Sequence, residues 1–149
     1  MSTVTEAGQL GSTQAPWLLD TCTLSDAIRN PQGRVAERLK ALSASHPEQL
    51  VTSVIVQCEL LFGANKVASN SLADKIDTLL QFIPPLPLDA NVAAHYATLR
   101  AKLERAGTPI GPNDMLIAAH ALAHNATLIT DNEAEFRRVT GLRVENWLR

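Results

Sequence analysis

Short apolar segments alternate with helical segments along this chain, and the alternation limits the possible folds more than any other feature. Strand-like segments occur at 16–20, 49–54, 126–130 and 142–147, and the residues between them place apolar side chains at helical spacing. Strands separated by helices form βαβ units, whose strands lie parallel in one sheet. The sequence therefore predicts an α/β fold in three layers, with a central, mostly parallel sheet between two layers of helices.

The segments between these strands carry clear boundary signals. The prolines of residues 83–89 exclude a helix and favour an extended segment at a sheet edge. Gly107 follows a long periodic segment and is typical of a helix C-terminus. The predicted helices cover residues 23–29, 33–44, 55–66, 71–82, 90–107, 113–125 and 132–139.

The length of 149 residues suggests one domain that can bury a core. We expect residues 1–15, rich in Ser, Thr and Gly, to form a flexible tail, and residues 16–149 to form a single domain. No apolar run approaches the ~18–20 residues that span a bilayer, and no secretory signal is evident. We therefore expect a cytoplasmic protein without membrane contact, and the net charge of −2 argues against nucleic-acid binding by bulk charge alone.

Four acidic residues are placed where a parallel sheet would bring them to one edge. Asp20 ends the first strand, Asp131 follows the strand at 126–130, and Asp114 opens the helix that leads into that strand. Glu59 lies within an apolar helix after the second strand, where an unpaired carboxylate is costly. Because ligands bind at the carboxyl ends of parallel strands, these four acids predict a functional site there.

Each acid also has an ordinary structural explanation. Asp114 suits a helix N-terminus in any case. Asp131 is a possible helix cap, although Thr130 and Glu133 already match a capping box. Asp20 can be a simple turn residue, and Glu59 can face solvent.

Carboxylates held close together repel one another unless protons or cations intervene. Such hard oxygen ligands suit Mg²⁺ or Mn²⁺, which keep several waters and also bind phosphate oxygens. A metal so placed activates water and stabilises charge on phosphorus. The four acids together therefore point towards metal-dependent chemistry on phosphate esters.

The segments "LLDTCTLSD", "TSVIVQCELLFGA" and "IGPNDMLIAAHALAHNATLITDNEAEFRRVTGLRVENW" resemble the successive motifs of PIN-domain ribonuclease toxins of the VapC type. The resemblance spans roughly residues 16–147. It implies a PIN-like α/β/α fold and a metal-dependent endoribonuclease that cuts RNA phosphodiester bonds by metal-activated water. It also implies neutralisation by a small cognate antitoxin and assembly as a homodimer.

By this resemblance the family's catalytic acids fall on Asp20, Glu59, Asp114 and Asp131, with Asp20, Asp114 and Asp131 as ligands of Mg²⁺ or Mn²⁺. Family members commonly carry Asn two residues after the first acid, where this chain has Cys22. A thiol offers only a weak hydrogen bond, which places metal affinity or rate in question.

Several other residues are candidates for supporting roles. Thr21 and Thr130 flank two of the acids and can hydrogen-bond a carboxylate or phosphate, with turn and capping roles as the alternative. Arg100 is the preferred candidate for contact with RNA phosphates, against a solvated helix face. Only 4% of residues are aromatic, so recognition should rely on RNA shape and backbone. His120 and His124 have the spacing of a helical zinc pair but face away from Asp114.

Two other functions remain open from the residues alone. A haloacid-dehalogenase-type phosphatase also has Asp at the end of its first strand, but it needs a second Asp where Cys22 stands. A catalytically weak PIN-fold module that binds RNA or protein is the main alternative, although decay of that kind would normally remove at least one of the four acids.

Overall fold

Residues 14–149 are described by a computed structural model, in which five strands form an all-parallel sheet in the order β3-β2-β1-β4-β5. The predicted tail over residues 1–15 lies almost entirely outside the described residues. The strands are β1 (Trp17–Leu19), β2 (Leu50–Ser53), β3 (Pro85–Leu86), β4 (Thr127–Ile129) and β5 (Arg143–Glu145). The predicted mostly parallel sheet is confirmed, and every pairing in the described part is parallel.

The helices lie close to their predicted positions. They are α1 (Thr21–Arg29), α2 (Arg34–Ser45), α3 (Val54–Lys66), α4 (Asn70–Phe82), α5 (Ala90–Ala106), α6 (Pro112–Ala123) and α7 (Glu133–Phe136), with a short 3₁₀-helix at Pro47–Gln49. Chain order runs from β1 outward to β3, then back past β1 to β4 and β5. Right-handed crossovers therefore place α1 to α4 on one face of the sheet and α5 to α7 on the other.

The central strands supply the middle of the core. Leu18 and Leu19 of β1, together with Leu128 and Ile129 of β4, have no exposed surface. Burial of a side chain of this size contributes roughly 1.5–3 kcal/mol. Because β1 pairs with β2 on one side and β4 on the other, the residues that follow these strands are held at one edge of the sheet.

Two boundary signals are confirmed. Gly107 ends α5 in the left-handed region, with φ of 71°, where glycine has no steric penalty. Pro85 lies in the two-residue strand β3 at the edge of the sheet.

The predicted capping box of Thr130 and Glu133 is wrong. The N-cap of α7 is Asn132, without a side-chain capping bond. The Thr130 hydroxyl instead accepts a 3.0 Å hydrogen bond from the Asn132 amide and donates one to Asp20. The Thr130 amide, which a capping box would pair with Glu133, is instead bonded to the Glu145 carbonyl of β5.

None of the helices in the described part of the chain combines the length and the apolar character that a membrane span requires.

Candidate active site

The candidate site lies where β1, β2 and β4 end. Asp20 follows β1 directly, and its amide donates a 2.9 Å hydrogen bond to the Ile129 carbonyl of β4. Thr130 follows β4, and Ser53 ends β2 and begins α3. The parallel register of these strands brings polar residues from distant parts of the sequence to one edge of the sheet.

The Asp20 carboxylate is only 5% exposed and is held on both oxygens. Oδ1 accepts from the Thr21 amide at 2.8 Å, which makes Asp20 the N-cap of α1. Oδ2 accepts from the Thr130 hydroxyl at 2.7 Å and lies 3.7 Å from Cys22 Sγ. Burial raises the pKa of Asp20, while the bonds from Thr130 and Thr21 oppose that shift and Glu59 adds to it.

Glu59 lies in the second turn of α3 and is only partly buried. Its Oε1 accepts a hydrogen bond from the Thr21 hydroxyl, and its Oε2 accepts one from Asn113 Nδ2 at 3.2 Å. Glu59 thus bridges the start of α1 and the start of α6. Thr21 in turn touches two acids, Asp20 through its amide and Glu59 through its hydroxyl.

Asp114 lies in the first turn of α6, which begins at Pro112 after the N-cap Gly111. Gly111 offers no side-chain cap, and Asp114 faces the other acids. Burial, followed by the charges of Asp20, Glu135 and Glu59, raises the pKa of Asp114 from 3.8 to about 7. Burial and the charges of three carboxylates together therefore keep Asp114 partly protonated at neutral pH.

Glu135 is a site residue that sequence reasoning missed. Its Oε1 accepts a 2.9 Å hydrogen bond from the Gly111 amide, and its Oε2 accepts one from Asn132 Nδ2 at 2.6 Å. These two donors lower the pKa of Glu135, so the proton of the acid pair stays on Asp114. The only available signal was that the short segment after Asp131 carries two further acids, and nothing in the sequence distinguished Glu135 from Glu133.

Asp131 stands apart from this cluster. Its side chain is 40% exposed and accepts hydrogen bonds from Asn146 at 3.0 Å and Arg149 at 3.4 Å. Only its backbone joins the site, where the Asp131 amide donates to Cys22 Sγ at 3.2 Å. The structure therefore brings Asp20, Glu59 and Asp114 together and leaves the Asp131 carboxylate at the rim.

Arg100 lies on the exposed surface of α5. Its guanidinium donates to Glu104 and to the Tyr96 hydroxyl, each at 2.9 Å. Both bonds raise the pKa of Arg100. Within residues 14–149, no hydrogen bond or ion pair links it to the acid cluster.

His120 is a second residue whose role the sequence did not indicate. It is fully buried, and its Nδ1 lies 2.8 Å from Ser53 Oγ, which also accepts from the Ile55 amide as the N-cap of α3. Burial and His124 lower the pKa of His120. This neutral imidazole ties the helix that carries Asp114 to the start of the helix that carries Glu59.

The donor set suits a hard divalent cation, because it consists of carboxylate oxygens, and burial together with their mutual repulsion raises the pKa of Asp114 to about 7. In the arrangement described for residues 14–149, no three His, Cys, Asp or Glu side chains are gathered tightly enough to hold an ion together. Glu59 is instead held by Thr21 and Asn113. The carboxylate donors thus suit Mg²⁺ or Mn²⁺ by their chemistry, whereas the described side chains as placed do not enclose an ion.

Comparison with known proteins agrees with this geometry. The family model of the PIN domain matches residues 17–142. The chain is 33% identical over 132 residues to the tRNA(fMet)-specific endonuclease VapC of Salmonella typhimurium, covering 88% of this chain and 97% of that protein. It is 36% identical over 132 residues to ribonuclease VapC2 of Rickettsia felis, with the same coverage of both chains.

Solved structures give the same result. The DNA-bound VapBC complex of Salmonella typhimurium matches with a TM-score of 0.82 and 32% identity, covering 90% of this chain and 99% of that chain. The VapBC2 complex of Rickettsia felis, bound to a promoter DNA fragment, matches with a TM-score of 0.79 and 35% identity, covering 88% and 98%. With an all-parallel sheet and a carboxylate cluster at the ends of its central strands, the chain belongs to the PIN-domain family, among the VapC ribonucleases.

Proposed function

We propose that this chain is a metal-dependent endoribonuclease toxin that hydrolyses RNA phosphodiester bonds in the cytoplasm. The observation that carries the proposal is that Asp20, Glu59 and Asp114 lie at one edge of the sheet, where burial and then the charges of Asp20, Glu135 and Glu59 raise the pKa of Asp114 to about 7. Its relatives are named ribonucleases and endonucleases. We assign the activity to one domain over residues 16–149.

The proposed ligands of Mg²⁺ or Mn²⁺ are Asp20 and Asp114, with Asp131 at the rim. A bound ion would activate a water molecule for attack on phosphorus and stabilise the charge that develops there. Asp131 needs a change of side-chain direction to take part, because it is bonded to Asn146 and Arg149. Glu135 is the better-placed fourth acid, since it lies beside Asp114.

The chain's own groups fix the orientation of this site. Thr130 and the Thr21 amide hold the two oxygens of Asp20, which prevents the carboxylate from rotating. Thr21 and Asn113 hold Glu59 in the same way. Fixed carboxylates favour catalysis because they do not have to reorganise during the reaction.

The partner that we propose is a small antitoxin protein. The solved structures similar to this chain include VapBC complexes, and one of them is described as a member of a family of toxin–antitoxin systems. A basic side chain, with Arg as the best fit, would satisfy the crowded carboxylates, because a guanidinium binds carboxylates in a bidentate manner. Assembly as a homodimer is part of the same proposal.

Cleavage of RNA tests the proposal directly. Purified protein should cut a labelled RNA stem-loop in the presence of Mg²⁺ or Mn²⁺, and cleavage should stop when EDTA is added. The cleavage rate of Asp114→Asn should be lower by orders of magnitude. Asp89→Asn is the matched control, because Asp89 caps α5 through the amides of Asn91 and Val92 and lies outside the acid cluster. Undiminished cleavage in EDTA, or an equal fall in both variants, would contradict the proposal.

A further inference from the structure

A cavity outside the acid cluster has cationic side chains at its rim. Its volume is about 490 Å³, and it lies between α5 and the segment that follows α7. Leu99 and Leu103 form part of its floor, and Lys102, Arg138 and His95 lie around it with three threonines. No Asp or Glu is among the described residues that line it.

Lys102 and Arg138 form no salt bridge within residues 14–149, whereas Arg100 pairs with Glu104 and Arg137 pairs with Glu133. Lys102 is the less compensated of the two, since the charge of Arg138 also acts on Glu135 and lowers its pKa. The whole chain carries a formal net charge of −2. A cavity lined by two cations, a histidine and several hydroxyl groups, with no carboxylate in its lining, is therefore a local exception, and its charge is complementary to an anion.

The loop over residues 108–111 connects the cavity to the acid cluster. Arg138 Nη1 donates a 3.0 Å hydrogen bond to the Pro109 carbonyl, and two residues later the Gly111 amide donates to Glu135. Thr108, which precedes Pro109, lines the cavity, and Asp114 follows Gly111 in the first turn of α6. The loop over residues 108–111 thus has the cationic cavity at one end and the acids at the other.

We propose that this cavity binds the sugar–phosphate backbone of the RNA substrate next to the phosphodiester that is cut. This inference rests on the proposed ribonuclease function and names the surface that holds the substrate. Lys102 and Arg138 contact phosphate, the hydroxyls of Thr108 and Thr140 donate to phosphate oxygens or ribose, and the leucines lie against the sugar. Arg100, the candidate that the sequence indicated, is turned instead towards Glu104 and Tyr96.

The chemistry of the cavity favours backbone over base recognition. Among the side chains that line it, His95 carries the only aromatic ring, so successive bases have no stacking platform there. A lining of cations and hydroxyl groups that contains no carboxylate suits phosphate. The cavity thus provides the local positive charge that a ribonuclease with a net charge of −2 requires.

The test uses the steady-state cleavage of a fluorescein-labelled RNA stem-loop with Mg²⁺. In Lys102→Gln combined with Arg138→Gln, KM should rise about tenfold, and the slope of log affinity against log salt should fall by about one for each phosphate that the variant no longer neutralises. Arg34→Gln combined with Lys40→Gln on α2 removes the same charge elsewhere and should leave KM and the slope unchanged. Equal effects in the two double variants would overturn the proposal.

Arg138 also donates a hydrogen bond to the Pro109 carbonyl, so its replacement can change the loop as well as the charge. A single variant of Lys102 tests the effect of charge alone. Lys102→Glu touches no such bond and should raise KM more than Lys102→Gln does. A wild-type KM in Lys102→Glu overturns the inference while the nuclease function stands.

Absence of any cleavage by the wild-type protein overturns the proposed function itself. Variants that keep the RNA KM but bind a co-expressed antitoxin more weakly would reassign the cavity to the protein partner, which also overturns the inference.

Discussion

The carboxylates of Asp114 and Glu135 approach the same side of Gly111. A Cβ atom added to Gly111 would lie 3.7 Å from Asp114 Oδ2 and 3.9 Å from Glu135 Oε1. The two acids come from different sides of β4 in the chain, since Asp114 opens α6 and Glu135 lies on α7. These two carboxylates, with Asp20 and Glu59 nearby, repel one another in the metal-free protein. This repulsion adds to the effect of burial and raises the pKa of Asp114.

Asp114→Asn should stabilise the metal-free protein at pH 8. The folded-state pKa of Asp114 is raised from 3.8 to about 7, so ionisation of the folded protein opposes folding. The resulting penalty grows between about pH 4 and pH 7 and is complete above pH 7. Removing the charge should therefore raise the free energy of unfolding by on the order of 1 kcal/mol at pH 8 and by less at pH 5. Urea denaturation in EDTA at the two pH values measures this.

The same measurement on Asp89→Asn provides the contrast. Asp89 accepts from two helix amides and is exposed, so its replacement should weaken the start of α5 rather than relieve repulsion. A loss of stability in Asp114→Asn similar to that in Asp89→Asn would show that Asp114 acts only at the helix start.

Mg²⁺ should raise the melting temperature of the wild-type protein, because an ion that binds only the folded state stabilises it. The gain should shrink in Asp114→Asn, in which one proposed ligand is replaced by an uncharged amide. Melting curves with and without Mg²⁺ measure both effects. An identical Mg²⁺ response in the two proteins would remove Asp114 from the proposed metal site.

Glu135→Gln should reduce RNA cleavage by about tenfold or more, because an uncharged amide no longer acts on Asp114 or a bound cation. Glu133→Gln is a closely matched control. Glu133 lies on the same short helix but bonds to Arg137 and Asn146, away from Asp114. Initial rates at saturating Mg²⁺ compare the two variants, and equal rates would count against a role for Glu135.

Cys22→Asn should lower the Mg²⁺ concentration needed for half-maximal cleavage. Cys22 Sγ accepts from the Asp131 amide and lies 3.7 Å from Asp20 Oδ2, where a thiol makes only weak hydrogen bonds. An amide side chain is a stronger donor and acceptor at that position. Cys58→Ser replaces the exposed second thiol and should change nothing. A higher Mg²⁺ requirement in Cys22→Asn would show that this site has adapted to sulfur.

Ser53→Ala should cost more stability than Ser69→Ala. Both serines cap a helix, but only Ser53 also pairs with the buried His120. The expected difference is about 1 kcal/mol, because the variant leaves a buried imidazole nitrogen without its partner. Urea denaturation of both variants, and of His120→Leu with and without Ser53→Ala, measures the coupling. Independent effects of the two substitutions would exclude a functional tie between α3 and α6.

The order and type of the secondary-structure elements were predictable because hydrophobic periodicity and proline positions are local signals. That Asp20 and Asp114 lie at the same edge of the sheet was predictable for the same reason, since each stands at the boundary of a strongly periodic element. Glu59 was predictable because a carboxylate within an apolar helix needs a partner, and the structure supplies Thr21 and Asn113.

Side-chain direction was not predictable in the same way. The backbone brings Asp131 to the edge of the site. Its carboxylate, however, is turned away and accepts hydrogen bonds from Asn146 and Arg149, which lie 15 and 18 residues further along the chain. Glu135 reaches Asp114 only because the Gly111 amide donates a hydrogen bond to it. Choices of this kind depend on contacts between residues far apart in sequence, which periodicity does not record.

The central position of β1 has a consequence for how the protein is made. Asp20 is synthesised early, yet its hydrogen-bond donor Thr130 lies 110 residues further along the chain. The strand β4, which pairs with β1, is separated from it by a similar length of chain. Glu135, the neighbour of Asp114, is added later still. A chain emerging from the ribosome therefore carries an unfinished cluster of acids for most of its translation. Order of synthesis alone would keep such a nuclease inactive on the polysome, and an antitoxin would be required only once the last strands have left the exit tunnel.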